Sequence, residues 1–309
     1  MQKTMPVSEV LEEQGTQWAA IWQSMRPQHW VKNLLILVPI VMAHRVNDVA
    51  RLTHVLVACL SFSLCASGVY ILNDILDLEA DRLHPKKRFR AFASGKVPVW
   101  VGLSLAPLLL AAGLAIAAQL PSKLFLGTTI IYLAATTLYS VYAKRVPIVD
   151  VLLLTALYLL RILGGGAAAD VPVSPWLLAF SMFLMLSLAF TKRHAELIGQ
   201  ANGEMEAAPP SKRNYRAQDR EIVQQFGVTS GYLSVLVLAL YVNGKEVTAL
   251  YRYPQVIWLA CPMLLFWISR VWFLANRGKL SEDPVVFAAR DPVSYLLGAF
   301  LFLILLVAS

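Results

Sequence analysis

The sequence predicts an all-α protein, a polytopic membrane bundle of nine transmembrane helices. Of its 309 residues 58% are hydrophobic and only 15% are charged, and the mean hydropathy is +0.60. A water-soluble domain normally carries about 25% charged residues, so this composition excludes an ordinary soluble fold. Nine apolar stretches approach the roughly 20 residues that cross a bilayer as a helix, and basic residues are concentrated in alternate loops.

The apolar stretches follow one another along the whole chain. The first is short and begins beside a segment rich in basic and interfacial residues. No soluble domain of useful size fits between the stretches, so residues 1–309 are expected to form a single integral membrane domain. We predict spans, in chain order, at 33–44, 53–73, 99–118, 124–142, 147–163, 175–191, 228–243, 254–273 and 292–308.

Basic residues indicate the side of the membrane on which each loop lies, because cytoplasmic loops carry an excess of Lys and Arg. Of the 27 Lys and Arg residues, 21 fall in the N-terminal tail and the even-numbered loops. This distribution predicts a cytoplasmic N-terminus and an external C-terminus in a bacterial-type inner membrane. The net charge of +8 then lies mainly at the cytoplasmic face, where it attracts anionic lipids and phosphorylated substrates; nucleic-acid binding is the weaker interpretation.

Two segments outside the spans have a predicted position. Residues 1–25 form a tail in which tryptophan and aliphatic residues recur at helical spacing, typical of an amphipathic helix in the membrane interface. Residues 198–226 form the longest polar segment, expected to be part loop and part basic helix covering the cytoplasmic site. The three cysteines lie in predicted spans at no metal-binding spacing and are expected to pack as small apolar side chains.

The strongest chemical signal is a group of polar residues at the end of the second span. This group, the aspartate ladder, comprises Asn73, Asp74, Asp77 and Asp81. At roughly 100° per residue on a helix, its three carboxylates fall within an arc of about 60°. Such oxygen ligands suit catalytic Mg²⁺, or Mn²⁺, which shares its coordination shell with substrate phosphates. The alternative, a helix end capped by polar residues, explains one or two of them but not three on one stripe.

Cations that suit phosphate groups stand in two clusters. The first directly follows the ladder and contains Lys86, Lys87, Arg88 and Arg90. The second follows the sixth span and contains Lys192, Arg193 and Glu196. We expect both to contact substrate phosphates. The alternatives are residues that only set the topology in the first cluster and intrahelical ion pairs in the second.

Eight further residues are candidates for substrate binding. They are Lys32, Asn33, Tyr139, Lys144, Asp150, Arg161, Tyr215 and Arg216. Asp150 and Arg161 share a face of the fifth helix but lie about 16 Å apart along its axis, so they cannot touch each other. Ionisable residues inside a membrane are functional candidates by default. For Lys32 and Arg161 the alternative is a side chain that only extends to the membrane interface. For Tyr139 and Lys144, at the end of the fourth helix, the alternative is a purely interfacial position.

The whole chain resembles the UbiA-type intramembrane prenyltransferase superfamily. The string Asn73-Asp74-x-x-Asp77-x-x-x-Asp81 is similar to that superfamily's first aspartate-rich motif, and it stands in the expected place after the second helix. The resemblance implies a nine-helix bundle around a central cavity. It also implies that the cavity opens to the cytoplasm and, on one side, to lipid.

Within the superfamily the chain is most similar to a phosphoribosyl-transferring branch. At the second motif, where aromatic prenyltransferases carry a pair of aspartates, this chain has two cations and one glutamate. The extra positive charge suits a donor with a 5-phosphate besides its diphosphate. The segments that carry the similarity are Arg26-Pro27…Trp30-Val31-Lys32-Asn33, Asp81-Arg82-x-His84-Pro85-x-Lys87-Arg88-x-Arg90 and Lys192-Arg193-x-x-Glu196-Leu197.

The resemblance implies Mg²⁺-dependent transfer of 5-phosphoribose from phosphoribosyl diphosphate to a polyprenyl phosphate, with release of diphosphate. The runner-up hypothesis is prenyl transfer from a polyprenyl diphosphate to an aromatic acid or quinone precursor. A third hypothesis is a transporter of phosphorylated lipids, in which no bond is broken. The concentration of charge at one face, rather than along a pore, counts against transport.

Overall fold

The computed structural model describes residues 17–85, 87–201, 214–244, 247, 251–280 and 283–308, and within them it contains helices and no strands. The α-helices are α1 (Gln17–Ser24), α2 (Val38–Met42), α3 (Val49–Leu76), α4 (Leu78–Arg82), α5 (Val99–Gln119), α6 (Lys123–Val141), α7 (Val149–Ala169), α8 (Pro175–Ala201), α9 (Arg220–Val242), α10 (Ala260–Asn276), α11 (Pro284–Ala288) and α12 (Pro292–Ala308). The 3₁₀ helices are Pro27–Leu37, Lys87–Phe89, Ala143–Arg145, Ala217–Asp219 and Pro254–Leu259.

Seven helical segments of the described chain are long and apolar enough to cross a membrane. They are Val49–Leu76, Val99–Gln119, Lys123–Val141, Val149–Ala169, Pro175–Gln200, Ala217–Val242 and Pro254–Asn276. The last helix, α12, is apolar but has only 17 residues. The chain is therefore an integral membrane protein with an all-α fold, and the prediction of nine spans is not confirmed.

The first predicted span, 33–44, is not a regular α-helix. Residues Pro27–Leu37 form an 11-residue 3₁₀ helix, and α2 adds only five residues. Pro39, in the first turn of α2, has no backbone N–H to donate to the preceding turn. Runs of 3₁₀ helix longer than three or four residues are uncommon, and this one carries Lys32 and Asn33.

Helix α7 lies against the 3₁₀ helix Pro27–Leu37 and against α3, α6 and α8. The approach is closest at Gly165, where a Cβ would lie 2.1 Å from the carbonyl oxygen of Ile36. Ile36 is fully buried in a core with Phe62 and Phe125. Small residues permit such approach in a membrane, where helices associate by close packing rather than by the hydrophobic effect. Gly165 therefore fixes the position of the segment that carries Lys32.

Helix α1 lies at the edge of the bundle. Trp18 is 79% exposed, while Trp22 packs edge-on against Trp30 with 5.6 Å between ring centroids. The indole N–H of Trp30 donates to the hydroxyl of Ser67 in α3 at 3.0 Å. These contacts agree with an interfacial helix, which stays a prediction because residues 1–16 lie outside the described chain.

Replacing Gly165 by Ala should destabilise the protein, because the added methyl group overlaps backbone that cannot rotate away. Overpacking of this kind costs about 1–3 kcal/mol. We expect a lower midpoint of thermal unfolding in detergent. Gly127→Ala in α6 is the matched control: a Cβ there meets nothing within 4 Å, and Ala favours helix. Equal midpoints for both variants would show that α7 does not constrain the 3₁₀ helix.

Candidate active site

The aspartate ladder lies where α3 ends and α4 begins. Asp77 separates the two helices, so the ladder does not occupy one uninterrupted helix. The backbone N–H of Asp77 still donates to the carbonyl of Asn73 at 3.0 Å, and that of Asp81 donates to the carbonyl of Asp77 at 2.8 Å. These bonds carry the helical path across the interruption, and both Asp74 and Asp81 are buried.

Two arginines contact the buried carboxylates. Arg26 donates to Asp74 Oδ1, and its guanidinium lies over the ring of Tyr70, 5.3 Å from the centroid. Arg90 Nη1 donates to Asp74 Oδ1 at 3.1 Å and to Asp81 Oδ2 at 2.6 Å. One cationic nitrogen therefore joins two carboxylates that stand seven positions apart in the sequence.

Asp77 has a cationic partner from another part of the bundle. Lys144, in the 3₁₀ turn Ala143–Arg145 after α6, places its Nζ 3.1 Å from Asp77 Oδ2. Both side chains are partly exposed. The contact brings the predicted residue Lys144 to the ladder, so this part of the site combines α3, α4 and the end of α6.

The donor set of the ladder fits a hard divalent cation. Asp74 and Asp81, which Arg90 holds together, supply carboxylate oxygens of the kind that hard divalent cations prefer. Within the described chain no group of three or more His, Cys, Asp or Glu side chains converges on a metal position. The ladder's carboxylates are instead paired with Arg26, Arg90 and Lys144. Carboxylate oxygens suit Mg²⁺ and Mn²⁺ alike.

Lys32 and Lys192 meet at a third residue, Asp283, and we call these three the Asp283 cluster. Asp283 Oδ2 accepts from Lys32 Nζ at 2.7 Å and from Lys192 Nζ at 3.0 Å. Asp283 precedes α11 and caps it, because its Oδ1 accepts from the N–H of Val285 at 3.2 Å. Lys32 Nζ also lies over the ring of Tyr158, 5.7 Å from its centroid.

The charge of Asp283 is fixed by its surroundings. Burial alone would raise the pKa of this carboxyl, but the ammonium groups of Lys192 and Lys32 outweigh burial and hold the pKa well below its usual range. Asp283 is therefore ionised at neutral pH. The cluster carries two positive charges and one negative charge.

Arg193 belongs to a different network from its neighbour Lys192. Its Nε donates to Asp150 Oδ2 at 2.5 Å, its Nη1 to Glu196 Oε2 at 2.6 Å and its Nη2 to the hydroxyl of Tyr139 at 2.9 Å. The side chains of Arg193 and Asp150 are 1% and 0% exposed. Every guanidinium nitrogen has a partner, so Arg193 joins α6, α7 and α8 beneath the site.

Tyr215 ties the segment before α9 to this network. Its hydroxyl donates to Asp150 Oδ1 at 2.8 Å and accepts from the backbone N–H of Ile148 at 2.8 Å. Burial raises the pKa of Tyr215, which keeps its hydroxyl protonated as a donor. The predicted covering segment 198–226 is thus anchored at Tyr215, while its residues 202–213 lie outside the described chain.

Arg161 lies inside the bundle and is 4% exposed, so it does not extend to the membrane interface. Its Nε donates to Asn33 Oδ1 at 3.0 Å and its Nη2 to the hydroxyl of Tyr132 at 3.0 Å. Asn33 in turn donates to the hydroxyl of Ser63 at 2.8 Å. As their spacing predicts, Arg161 and Asp150 have separate partners.

The other predicted cations that the structure describes lie on the surface. Lys87 and Arg88 are exposed, and Arg88 stacks on Phe89 at 4.8 Å from the ring centroid. Arg216 is exposed at the start of the 3₁₀ helix before α9, where its backbone N–H donates to Asp219 at 2.8 Å. Lys86 lies outside the described residues.

Sequence reasoning missed several residues at the site. Arg26 and Tyr70 lie beside the ladder, and Tyr158 lies beside the Asp283 cluster. Tyr158 stands one helical turn before Arg161, a spacing that could have indicated it. Asp283 gives no local signal of function, because an aspartate before a proline is also an ordinary helix start.

Comparison with known proteins gives the family. A sequence model of the UbiA prenyltransferase family matches residues 34–308. The chain is 40% identical to decaprenyl-phosphate phosphoribosyltransferase of Mycolicibacterium smegmatis, over 89% of this chain and 87% of that protein. It is 35% identical to the nodulation protein NoeC of Azorhizobium caulinodans, over 92% of each chain. It is 34% identical to the uncharacterized protein y4nM of Sinorhizobium fredii over 97% of its own length, but spans only 56% of that relative.

The fold also has solved counterparts. A structure of a UbiA homologue from Archaeoglobus fulgidus bound to GPP and Mg²⁺ matches with a TM-score of 0.69 at 19% identity, over 93% of this chain and 100% of that one. At this identity the likeness shows the fold alone. Because the family match covers nearly the whole chain and relatives above 30% identity span about nine-tenths of it, the protein belongs to the UbiA prenyltransferase family and is a membrane transferase.

Proposed function

We propose that the protein transfers 5-phosphoribose from phosphoribosyl diphosphate to a polyprenyl phosphate and releases diphosphate. The observation that carries this proposal is the presence of two separate cation groups, one at the aspartate ladder and one at the Asp283 cluster. An enzyme that joins two phosphorylated substrates needs two anion-binding positions. The relatives named decaprenyl-phosphate phosphoribosyltransferase, at 33–40% identity, support the same reaction.

The donor's diphosphate would bind at the ladder. Asp74, Asp77 and Asp81, with Asn73 beside them, would hold Mg²⁺ or Mn²⁺, which neutralises charge on the departing diphosphate. Arg26 and Arg90 already lie against these carboxylates, so they add positive charge next to the leaving group. No other side chain has to supply a proton to the diphosphate.

The acceptor needs little chemical activation. A lipid phosphate is an anion at neutral pH, so one of its oxygens can attack the anomeric carbon while the bond from that carbon to diphosphate breaks. The main task of the protein is to hold two anions close together in the correct orientation. The buried network of Arg193, Asp150 and Tyr139 serves this task by fixing α8, which carries Lys192.

The reaction would take place at the cytoplasmic membrane face, with the N-terminus inside and the C-terminus outside. Support comes from the distribution of basic residues, 21 of 27 on one predicted side. By the same prediction the end of α3, with the ladder, and the C-terminal part of α8, with Lys192, lie on that side. The polyprenyl tail would lie among helices and reach the lipid laterally.

Prenyl transfer to an aromatic acceptor remains the second candidate. It is favoured by the solved homologue bound to GPP and Mg²⁺, which shares the fold. Against it stands the second cation pair, Lys32 and Lys192, which suits a phosphate better than the single carboxylate of an aromatic acid. Membership in a family of transferases disfavours the transporter hypothesis.

Two parallel assays with purified protein and Mg²⁺ distinguish these candidates. In the first, phosphoribosyl diphosphate and a polyprenyl phosphate should give a lipid-linked phosphoribose, detected by mass spectrometry. In the second, a prenyl diphosphate and an aromatic acid should give no prenylated product. Product in the second mixture only would reverse the assignment.

Neutral variants of the ladder should abolish turnover without unfolding the protein. For Asp74→Asn and Asp81→Asn we expect a loss of roughly 10²–10³-fold or more in kcat, because charge on the leaving group is no longer stabilised. Glu79→Gln is the matched control, since Glu79 lies in the same segment but is exposed. Wild-type rates in both aspartate variants would show that the ladder does not bind the catalytic metal.

A further inference from the structure

We infer that Lys32 and Lys192 bind the phosphate monoester of the lipid acceptor, and that Asp283 is an internal counter-ion which this phosphate displaces. The inference rests on the proposed function and adds which anion binds at which group of cations. The ladder then serves the donor, and the Asp283 cluster serves the acceptor.

The geometry of the cluster is that of an anion-binding site. The ammonium groups of Lys32 and Lys192 come from different elements, the 3₁₀ helix Pro27–Leu37 and α8, yet both donate to one oxygen, Asp283 Oδ2, at 2.7 and 3.0 Å. A phosphate oxygen accepts the same charge-assisted hydrogen bonds at the same distances. The two lysines are therefore already arranged around the position of one anionic oxygen.

The charge around this position matches a phosphate monoester. Arg161 has no carboxylate partner within the described chain: its hydrogen bonds go to Asn33, to Tyr132 and to the carbonyl of Leu157. Arg161 and Lys32 both lie 5.7 Å from the centroid of the Tyr158 ring. Three cations and one carboxylate leave an excess of two positive charges. A phosphate monoester carries about −1.5 to −2 at neutral pH.

Asp283 lies in a connecting segment, from which its carboxylate can move away from the two lysines. It lies in the connection between α10 and α12, at the start of the five-residue α11, and not in a membrane span. Lys32 and Lys192 belong to longer helices, and both of these helices pack against α7. When a phosphate competes for the same ammonium groups, the carboxylate can withdraw while the lysines stay in place.

The surroundings suit a lipid phosphate next to the donor. Arg26 of the ladder directly precedes the 3₁₀ helix Pro27–Leu37, which carries Lys32. Tyr70, 5.3 Å beneath Arg26, also packs against His29 of that helix with 5.5 Å between ring centroids, so the two anion positions lie along one short helix. Tyr158 belongs to an apolar cluster that also includes Met185, Leu188 and Leu35. An acceptor phosphate held by the lysines would therefore have apolar side chains near its first isoprene unit.

If Asp283 were only a structural partner of the two lysines, its neutralisation would have the opposite effect on anion binding. If Asp283 only holds two like charges together, its neutralisation weakens any anion site there. If Asp283 competes with the substrate, its neutralisation strengthens binding. The variant Asp283→Asn separates the two, because asparagine keeps an oxygen for the N–H of Val285 and so preserves the cap of α11.

The test is calorimetric titration of the detergent-purified full chain with farnesyl phosphate, in EDTA and without donor. Asp283→Asn should bind roughly tenfold more tightly than wild type, the effect of removing one competing charge-assisted hydrogen bond. Lys32→Gln and Lys192→Gln should bind at least tenfold more weakly. Farnesol, which lacks the phosphate, should show no difference among these proteins.

The control is Asp291→Asn. Asp291 likewise begins a helix, accepting from the N–H of Ser294 at 2.8 Å, and pairs with a cation, Arg270, at 2.7 Å. The affinity of the Asp291→Asn variant for farnesyl phosphate should equal that of wild type. Should Asp283→Asn fold poorly, Asp283→Ser, which also caps a helix, takes its place in the same titration.

Equal or weaker binding by the folded Asp283 variant would overturn the inference, as would unchanged binding by both lysine variants. The titration contains neither metal nor donor, so its result does not depend on the ladder. Failure of the transfer assay would instead reject the proposed reaction. The two outcomes are therefore distinguishable.

Discussion

The pairing of buried charges across distant segments is the constraint on which this structure depends. An isolated ion inside a membrane protein is costly, and it persists only when a counter-charge and hydrogen bonds satisfy it. Asp74, Asp150 and Asp283 each meet a cation from another segment of the chain. These pairs orient the helices, so the same residues that could bind substrate also hold the bundle in register.

Adjacent residues of α8 show how the fold separates support from binding. Side chains one position apart on a helix point about 100° apart, so Lys192 and Arg193 face different partners. Arg193 is enclosed by two carboxylates and a phenol, while Lys192 is 29% exposed beside Asp283. The sequence places both in one cluster, but only Lys192 stays accessible to a substrate. Arg193 acts through α8 by fixing where Lys192 stands.

Apolar runs in the sequence predicted the membrane helices whose bounds depend only on local hydropathy. The spans 99–118 and 124–142 agree with α5 and α6 to within one residue at each end, because a continuous apolar run is sufficient to define a membrane helix. The predicted end of α7 at 163 is early, since the following three glycines lower the local hydropathy although the helix continues to Ala169. The 3₁₀ helix Pro27–Leu37 was not foreseen, because its apolar residues do not reveal the hydrogen-bond pattern.

At the site, prediction from the sequence was limited by contacts between distant parts of the chain. The ladder was predicted because its spacing matches one helical face, and Lys144 was predicted because it follows a neighbouring span; the structure places Lys144 against Asp77. Asp283 could not be found, since its partner Lys32 is 251 positions away and no periodicity links them. Arg193 was found as a cation, yet its burial depends on Asp150 and Tyr139, which only the tertiary packing brings together.

The two halves of the site share one electrostatic principle. At the ladder, arginines of the chain lie on the carboxylates; at the Asp283 cluster, a carboxylate of the chain lies on the lysines. Each half thus carries its own counter-ion, which lowers the cost of keeping charge in a medium of low dielectric constant. Under the proposed function a metal held by the ladder would share its carboxylates with Arg26 and Arg90, and a lipid phosphate would replace Asp283 on the two lysines. In both halves the buried charges of the chain keep a counter-charge when substrate binds.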